Sequence, residues 1–585
     1  MKSPSDYAKE ARSINQNHSL SKLKIAFLSS YTIEIIKSYV AVELANIGYL
    51  SEQYFAPFNQ FEQEVYNSDS ELYKLKPDFI IIHMRIEDVY PDISTRFIKY
   101  NDDELEKIED SILGRYSDIL LEIRKKTKSK IIIFDFADGR IKSDLFYSSE
   151  LVRSFHVFLQ NLNNKLYDLC SKVSSCHVVN YQQIISNFGL SNWGDLKLYY
   201  MAKIPFNVNA QIKIAKILSR TINAVVRIPI KCIVLDLDNT LWGGVIGEDG
   251  LLGIQLGNNY PGNVFKDFQK TLLGLRDQGI LLAIASKNNI KDVVEVFEKN
   301  TDCVLKMNDF SAIQVHWDDK AKSIERISQE LNIGLDSIVF FDDNPVERLW
   351  IQEQLPDVKI IDVPDSPIGY IGSLIDSSYF DSLHTTKEDK DRHAQYKQQV
   401  KRSKLYKNSK TIDDFLKNLK MKVNIGHMSN VTINRLEQLI NKTNQFNLTS
   451  KRYDSIDLED IVSNDGMVLW VSVKDCYGDN GIVGVAIIKD VLSKKWVLDS
   501  FLLSCRIIGR KIETVFLSEI VNIARDCGAQ IIKGQYIYSK NNNLVSSFYK
   551  NHNFKLSDKD INIWEFNLDN NINRPKYIEV FYDKY

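Results

Sequence analysis

Residues 232–250 read CIVLDLDNTLWGGVIGEDG, and four apolar residues, Cys232 to Leu235, run directly into Asp236 and Asp238. A short apolar run capped by acidic residues has the pattern of a buried parallel strand delivering carboxylates at its carboxyl end. Open α/β sheets bind ligands at that end. Two strand residues at i, i+2 share a face, so both carboxylates address one small volume. They repel each other unless a cation lies between them. Mg2+, held by one or two carboxylates together with substrate phosphate, is the usual occupant. A lone acidic pair would read as a solvated strand end. Here three later segments fit the longer string in order.

The chain has 585 residues, too many for one ordinary domain. Its formal net charge of −2 gives no electrostatic case for nucleic-acid binding. No apolar run is long enough to span a bilayer, and residues 1–20 lack the pattern of a secretory signal. Seven scattered cysteines with no metal-type spacing suggest a reduced, cytoplasmic protein.

Strand-like runs at Lys24–Ser30, Asp78–Met84, Lys130–Asp135 and His177–Asn180 alternate with helical stretches, which predicts an α/β unit over residues 1–222. A second α/β unit covers 223–365. Its expected strands are Lys231–Leu235, Ile280–Ser286, Cys303–Leu305, Ser337–Phe341 and Val358–Asp362, a doubly wound parallel pattern with no room for a large inserted cap. Residues 366–410 form a linker whose charged stretch, Lys387–Lys407, reads as a solvated helix. Six strand-like runs between Met421 and Leu568, with helices at Asn434–Lys442, Gly509–Cys527 and Asn543–Asn551, predict an α+β unit over 411–585. Tyr477–Gly481 reads as a hairpin turn.

The run Ile280–Ala285 ends in Ser286-Lys287-Asn288, where a hydroxyl and backbone N–H groups suit a phosphoryl oxygen. His316-Trp317-Asp318-Asp319-Lys320 places a lysine at the start of a helix, where its ammonium can offset phosphate charge. Ser337–Phe341 ends in Asp342-Asp343, completing a metal site.

This order of motifs resembles the haloacid dehalogenase (HAD) superfamily of phosphotransferases. The resemblance implies a HAD-type Rossmann-like sheet and a set of roles. Asp236 would be the nucleophile and Asp238 the general acid and base. Thr240, Ser286, Lys287 and Lys320 would contact the phosphoryl group. Asp236, Asp238 through its backbone carbonyl, and Asp342 would hold Mg2+, with Asp343 binding it through water or orienting Lys320. The segments Asp236–Gly250, His316–Lys320 and Asp342–Arg348 resemble the FkbH-like branch. That likeness continues through Asn444–Tyr453, Asp499–Glu513 and Phe548–Phe554. It implies removal of phosphate from a small phosphorylated acyl donor, 1,3-bisphosphoglycerate in the family, and loading of the acyl group on an acyl carrier protein. Carrier-loading members have Cys immediately before the motif Ser; here that position is Ala285. Either another nucleophile serves, with Cys505, Cys303 and Cys232 the nearest, or transfer is direct, or the protein is a plain phosphatase. A non-catalytic scaffold is the remaining alternative.

Residues 411–585 resemble the GNAT acyltransferase fold. The resemblance implies that Arg506, Gly509 and Arg510 cradle a pantetheine phosphate at a helix N-terminus, although Lys511 stands where that pattern usually ends in Gly or Ala. The competing reading is a degenerate domain that stabilises the catalytic unit. The N-terminal unit resembles SGNH-type hydrolases in layout. Its Ser29-Ser30 lacks the usual G-D-S block, and Trp193–Leu198 supplies no histidine, so the unit is expected not to hydrolyse anything.

Overall fold

The computed structural model describes residues 3–14, 20–138, 154–381, 398, 402, 405, 411–540, 542–557 and 560–583. The chain divides into two units, 1–226 and 227–585. Most of the charged stretch Lys387–Lys407 lies outside the described residues.

In the first unit, β1 (Ser21–Ser29), β2 (Tyr49–Phe55), β3 (Phe79–His83), β4 (Lys130–Phe134) and β5 (Cys176–Val179) form a parallel sheet in the order β2-β1-β3-β4-β5. Successive side chains enter opposite layers, as the two-residue repeat of a strand requires. Phe27, Ile81 and Ile132 pack with the helix Val208–Val226. Leu28, Ile82 and Ile133 pack with the helices Asp102–Lys126 and Phe155–Ser171. The long helix Asp102–Lys126 starts at a capping box. Asn101 Oδ1 accepts from the Glu104 N–H (2.9 Å), and Glu104 Oε2 accepts from the Asn101 N–H (2.8 Å).

The second unit holds two sheets. In the first of them β6 (Cys232–Leu235), β7 (Leu281–Ser286), β8 (Phe310–Val315), β9 (Ile338–Phe341) and β10 (Lys359–Ile360) run parallel in the order β10-β9-β6-β7-β8. Between β6 and β7 stand the crossover helix Gly262–Asp277 and, before it, a small flap closed by a Gly243–Gln255 bridge around the short helix Ile246–Gly253. One strand differs from expectation. Cys303–Leu305 is irregular, and β8 takes its place. The buried Gln269 Oε1 accepts from the N–H groups of Val304 (2.9 Å) and Leu305 (3.0 Å), so this backbone is paired with a side chain and not with a neighbouring strand.

The last sheet contains β11 (Lys422–His427), β12 (Met467–Asp475), β13 (Gly478–Lys489), β14 (Lys495–Leu503), β15 (Ile531–Gln535), β16 (Lys555–Leu556), β17 (Ile563–Asn567) and β18 (Glu579–Tyr582). Its order is β16-β17-β15-β14-β13-β12-β11-β18, antiparallel except at β14/β15 and β11/β18. The expected hairpin joins β12 to β13, with Asp475 opposite Gly478. At Arg402 the expectation of a solvated charged helix fails. This side chain is 2 % exposed, and its guanidinium donates to both Asp475 oxygens at 2.7 and 2.9 Å. Among the described residues, no helix is long and apolar enough to cross a membrane.

Candidate active site at the carboxyl ends of β6, β7 and β9

Leu235 is in register with Phe341 on one side and Ile284 on the other. Asp236 and Asp342 therefore leave two adjacent strands side by side. The strand repeat puts them on the face of Val234 and Phe340, where the helix Lys320–Leu331 packs. Lys320 opens that helix and is 4 % exposed. Its Nζ lies 2.6 Å from Asp342 Oδ2 and 3.0 Å from Asp236 Oδ2. Burial opposes the Lys320 charge, but the two carboxylates outweigh it and hold the ammonium above lysine's ordinary value. Burial and the Asp236 charge push Asp342 up to about 7, against the pull of Lys320.

Asp236, Asp342 and Asp343 bring carboxylate oxygens within 4.8 Å of one another. Asp236 Oδ1 is buried and accepts no hydrogen bond. Three clustered oxygen donors, one of them an orphaned carboxylate oxygen, fit a hard divalent cation such as Mg2+. Burial raises Asp343, whose Oδ1 accepts from the Thr240 hydroxyl at 3.2 Å.

The structure turns the Asp238 side chain away from this cluster. β6 ends at Leu235. The Thr240 and Leu241 N–H groups then turn back onto the Leu237 carbonyl, and Asn239 takes a left-handed φ of 52°. The shared face expected of two strand residues is lost in that turn. Asp238 Oδ1 instead accepts from Trp242 Nε1 (2.9 Å) and the Ile246 N–H (3.1 Å), and its Oδ2 accepts from Asn288 Nδ2 (3.0 Å). Trp242 of the Trp-Gly-Gly tail supplies one of these bonds, and the two glycines after it lie in tight surroundings. A Cβ on Gly243 would fall 2.8 Å from Gln255 Oε1, and one on Gly244, at φ +91°, would fall 2.5 Å from Asp249 Oδ2.

Ser286 ends β7 and is 3 % exposed; its hydroxyl accepts from Asn288 Nδ2 at 3.2 Å. Asn288 thus couples the Ser286 hydroxyl to Asp238. It lies in the Ser-Lys-Asn motif but has no role in the sequence reading, because an amide's partners are set by the turn and not by its neighbours. Asn288→Ala should lower turnover by up to ~10²-fold with little change in melting temperature. Steady-state kinetics beside a thermal melt check it. Arg348, the last residue of the segment Asp342–Arg348, is a second residue to which the sequence reading gives no role. Its Nη1 donates to the carbonyls of Asp342 and Asp343, both at 2.8 Å, and fixes the acidic loop. The structure does not bring Lys287 to the cluster; its Nζ pairs with Glu347 Oε1 at 2.5 Å.

Ala285 is fully buried beside Val234 and Ile324. Two of the three substitute thiols are also buried, and burial pushes Cys303 up to about 11 and Cys232 further. Neither suits a nucleophile, which must be a thiolate. The Cys505 side chain lies outside the described residues.

Around the expected pantetheine loop, β14 and β15 pair only from Lys495–Ile531 to Leu498–Gly534. Beyond that point the chain's own residues Phe446–Leu448 fill the gap. The Leu503 N–H donates to Phe446 O (3.0 Å), the Leu448 N–H to Phe501 O (3.1 Å) and the Ile537 N–H to Leu448 O (2.9 Å). Asn542, fully buried, ties the segment to Ile537. Arg510 turns inward, donating to Asp475 (3.1 Å) and to the Arg506 carbonyl (2.7 Å). Burial and the nearby Arg402 bring it down to about 10. Gly509 has φ +80°, and the helix begins only at Ile512. Of the three expected contacts, Arg510 is thus committed to the protein interior.

In the first unit, Ser30 Oγ donates to Asp88 Oδ2 (2.9 Å), and Ser29 Oγ accepts from the Tyr31 N–H (3.2 Å). His83, 1 % exposed, lies with Nδ1 2.6 Å from the Tyr31 hydroxyl. Burial, with the Arg85 charge, pushes it down to about 3. An unfolded histidine titrates near ~6.5, so between these values only the unfolded chain takes the proton. This part of the stability is complete above ~6.5 and declines as pH falls toward the folded value. At about pH 5 the loss is ~2 kcal/mol. His83→Gln should remove that component, read as the change in urea midpoint between about pH 7.5 and pH 5.

Comparison with known proteins agrees with two parts of this picture. Residues 24–225 match the family model of the FkbH N-terminal domain. The crystal structure of the N-terminal part of BF1531 from Bacteroides fragilis, containing a phosphatase domain complexed with Mg, is 29% identical, with a TM-score of 0.56. The match covers 65% of this chain and 99% of that one. A GNAT-family acetyltransferase from Staphylococcus aureus Mu50 matches over 25% of this chain and 99% of its own, at 17% identity and a TM-score of 0.21. No curated protein matches the chain. The likeness to the phosphatase-containing structure and the acidic cluster together support a phosphatase-like role.

Proposed function

We propose that the protein is a Mg2+-dependent phosphotransferase of the HAD type. It removes phosphate from a small phosphorylated acyl donor and delivers the acyl group to an acyl carrier protein. The observation that carries the phosphoryl chemistry is the buried Lys320 bridging Asp236 and Asp342, with Asp236 Oδ1 left unbonded. Asp236, Asp342 and the Asp238 carbonyl, with Asp343 beside them, would hold Mg2+, which would supply positive charge to the phosphoryl oxygens. Lys320 and the Ser286 hydroxyl hold and neutralise the same group. When no carrier thiol takes the acyl group, Asp236 Oδ1 attacks phosphorus, the bond to the leaving oxygen breaks, the acyl group departs as a carboxylate, and an aspartyl phosphate forms. Asp238, steadied by Trp242, Ile246 and Asn288, then takes a proton from water as that water releases phosphate.

Acyl transfer breaks a different bond. A carrier thiolate attacks the acyl carbon, the carbon–oxygen bond breaks, and phosphate leaves directly. Ala285 in place of a thiol, together with the burial of Cys232 and Cys303, favours direct transfer from donor to carrier. The second reading, a plain phosphatase, rests on the same alanine.

Isotope labelling separates them. The full chain is incubated with Mg2+, an acyl phosphate such as 1,3-bisphosphoglycerate and a phosphopantetheinylated carrier in H2(18)O. An acyl adduct on the carrier with unlabelled phosphate supports transfer. Labelled phosphate and no adduct support the phosphatase. No enzyme-dependent phosphate release from any phosphorylated donor, with or without EDTA, would sink both.

A further inference from the structure

A cavity of about 480 Å3 opens within the second unit, far from the acidic cluster. Five cationic side chains line it: Lys231, Arg435, Lys442, Arg506 and Lys540. Two carboxylates, Asp336 and Asp357, face them, leaving an excess of positive charge. Asp357 is partly engaged, 3.6 Å from Lys540 Nζ. Apolar surface from Leu439 and Phe446 completes the wall.

The cavity and the catalytic cluster occupy opposite ends of the same strands. Lys231 immediately precedes β6, whereas Asp236 follows it, so the two lie roughly 16 Å apart along the chain direction. Asp336 and Leu335 likewise precede β9, and Asp342 follows it. The cavity cannot be an annex of the phosphoryl-transfer site.

We propose that this cavity binds a small phosphorylated molecule with an organic body. Its volume lies in the range of small-ligand pockets and exceeds the needs of a lone phosphate ion. Arginine and lysine converging on one space match phosphate oxygens, Arg through its planar fork and Lys as a point charge. Arg435 is 9 % exposed and is anchored by donating to the Ile482 carbonyl at 3.2 Å; Arg506 Nε donates to Ser504 Oγ at 3.3 Å. Both guanidinium groups are thus held in place before any ligand arrives, which lowers the ordering cost of binding. The Leu439 and Phe446 surface is of no use to a bare anion and suits the body of a phosphate ester. The site does not depend on what the catalytic cluster does.

The test is calorimetric titration of the full chain in Mg2+-free buffer with AMP, pyrophosphate and citrate as probes. AMP is expected to bind at one site per chain, more tightly than pyrophosphate, and more weakly as salt rises. The double variant Arg506→Gln/Lys442→Gln should weaken AMP by at least ~tenfold. Lys540→Glu reverses a charge at a side chain 86% exposed and so leaves the fold intact; it should weaken AMP measurably. Asp236→Asn should leave the binding unchanged. The proposal is overturned if neither phosphate probe binds, if citrate binds and they do not, if AMP affinity survives Lys540→Glu and the double variant, or if Asp236→Asn abolishes the titration.

Discussion

Asp236→Asn should reduce phosphate release from an acyl phosphate, measured without carrier, by ~10³-fold or more. The amide keeps the shape of the side chain but has no lone pair basic enough to attack phosphorus. It also presents a donor or a neutral oxygen where Lys320 and a cation expect a carboxylate. Folding should survive, because the strand register that places residue 236 depends on backbone pairing; the Asp236 N–H donates to Phe341 O at 3.1 Å. The diagnostic measurement is intact mass after brief incubation with donor. Wild type should show a phosphoryl adduct at early times, and Asp236→Asn should not. A variant that still hydrolyses the donor at the wild-type rate would remove Asp236 from the nucleophile's role.

Lys320→Met should have the second largest effect, on stability as well as on rate. The Lys320 side chain is 5% exposed and the Asp342 side chain fully buried, so removing the cation leaves two neighbouring carboxylates uncompensated in the interior. Breaking a buried pair by deleting one partner costs ~3–5 kcal/mol. Mg2+ should restore much of this, since a ligand that binds only the folded state stabilises it. Thermal melts of wild type and variant in EDTA and in Mg2+ give four values. The expected pattern is a large deficit in EDTA that shrinks in Mg2+. An equal deficit in both would mean that the lysine does not share its site with a cation. Activity in saturating Mg2+ should still be lower by ~10²-fold, because in the proposed mechanism the ammonium contacts the transferring group.

Much of this site is legible in the chain. Apolar runs ending in Asp236, Ser286 and Asp342 mark three strand ends, and the parallel-sheet rule collects such ends along one edge. Lys320 is legible as the first residue of a helix. Less legible is whatever depends on where a strand stops. Asp238 looks like a partner of Asp236 while both are read as strand residues; the turn at Leu237–Leu241 sends it to Trp242 and Asn288. Lys287 stands beside Ser286 in the motif, yet it points to Glu347 on another helix. Cys303–Leu305 has the composition of a strand and lacks a strand neighbour, because Gln269 takes its amides. Arg402 looks like one charge among many on a solvated helix. Only its partner Asp475, far along the chain, makes it a buried cation.

Local sequence determined the elements of this protein and the chemical types at their ends, because hydrophobic periodicity and strand-terminal carboxylates are short-range properties. Tertiary structure decided which of those groups meet. Sheet order placed β9 next to β6, so Asp342, and not the nearer Asp238, shares Lys320 with Asp236. Packing also decided that residues 446–448 fill the gap between β14 and β15, and that cations from Lys231 to Lys540 converge on one cavity. Charges and hydrogen-bond donors act over a few ångströms of space, and distance along the chain does not report that separation.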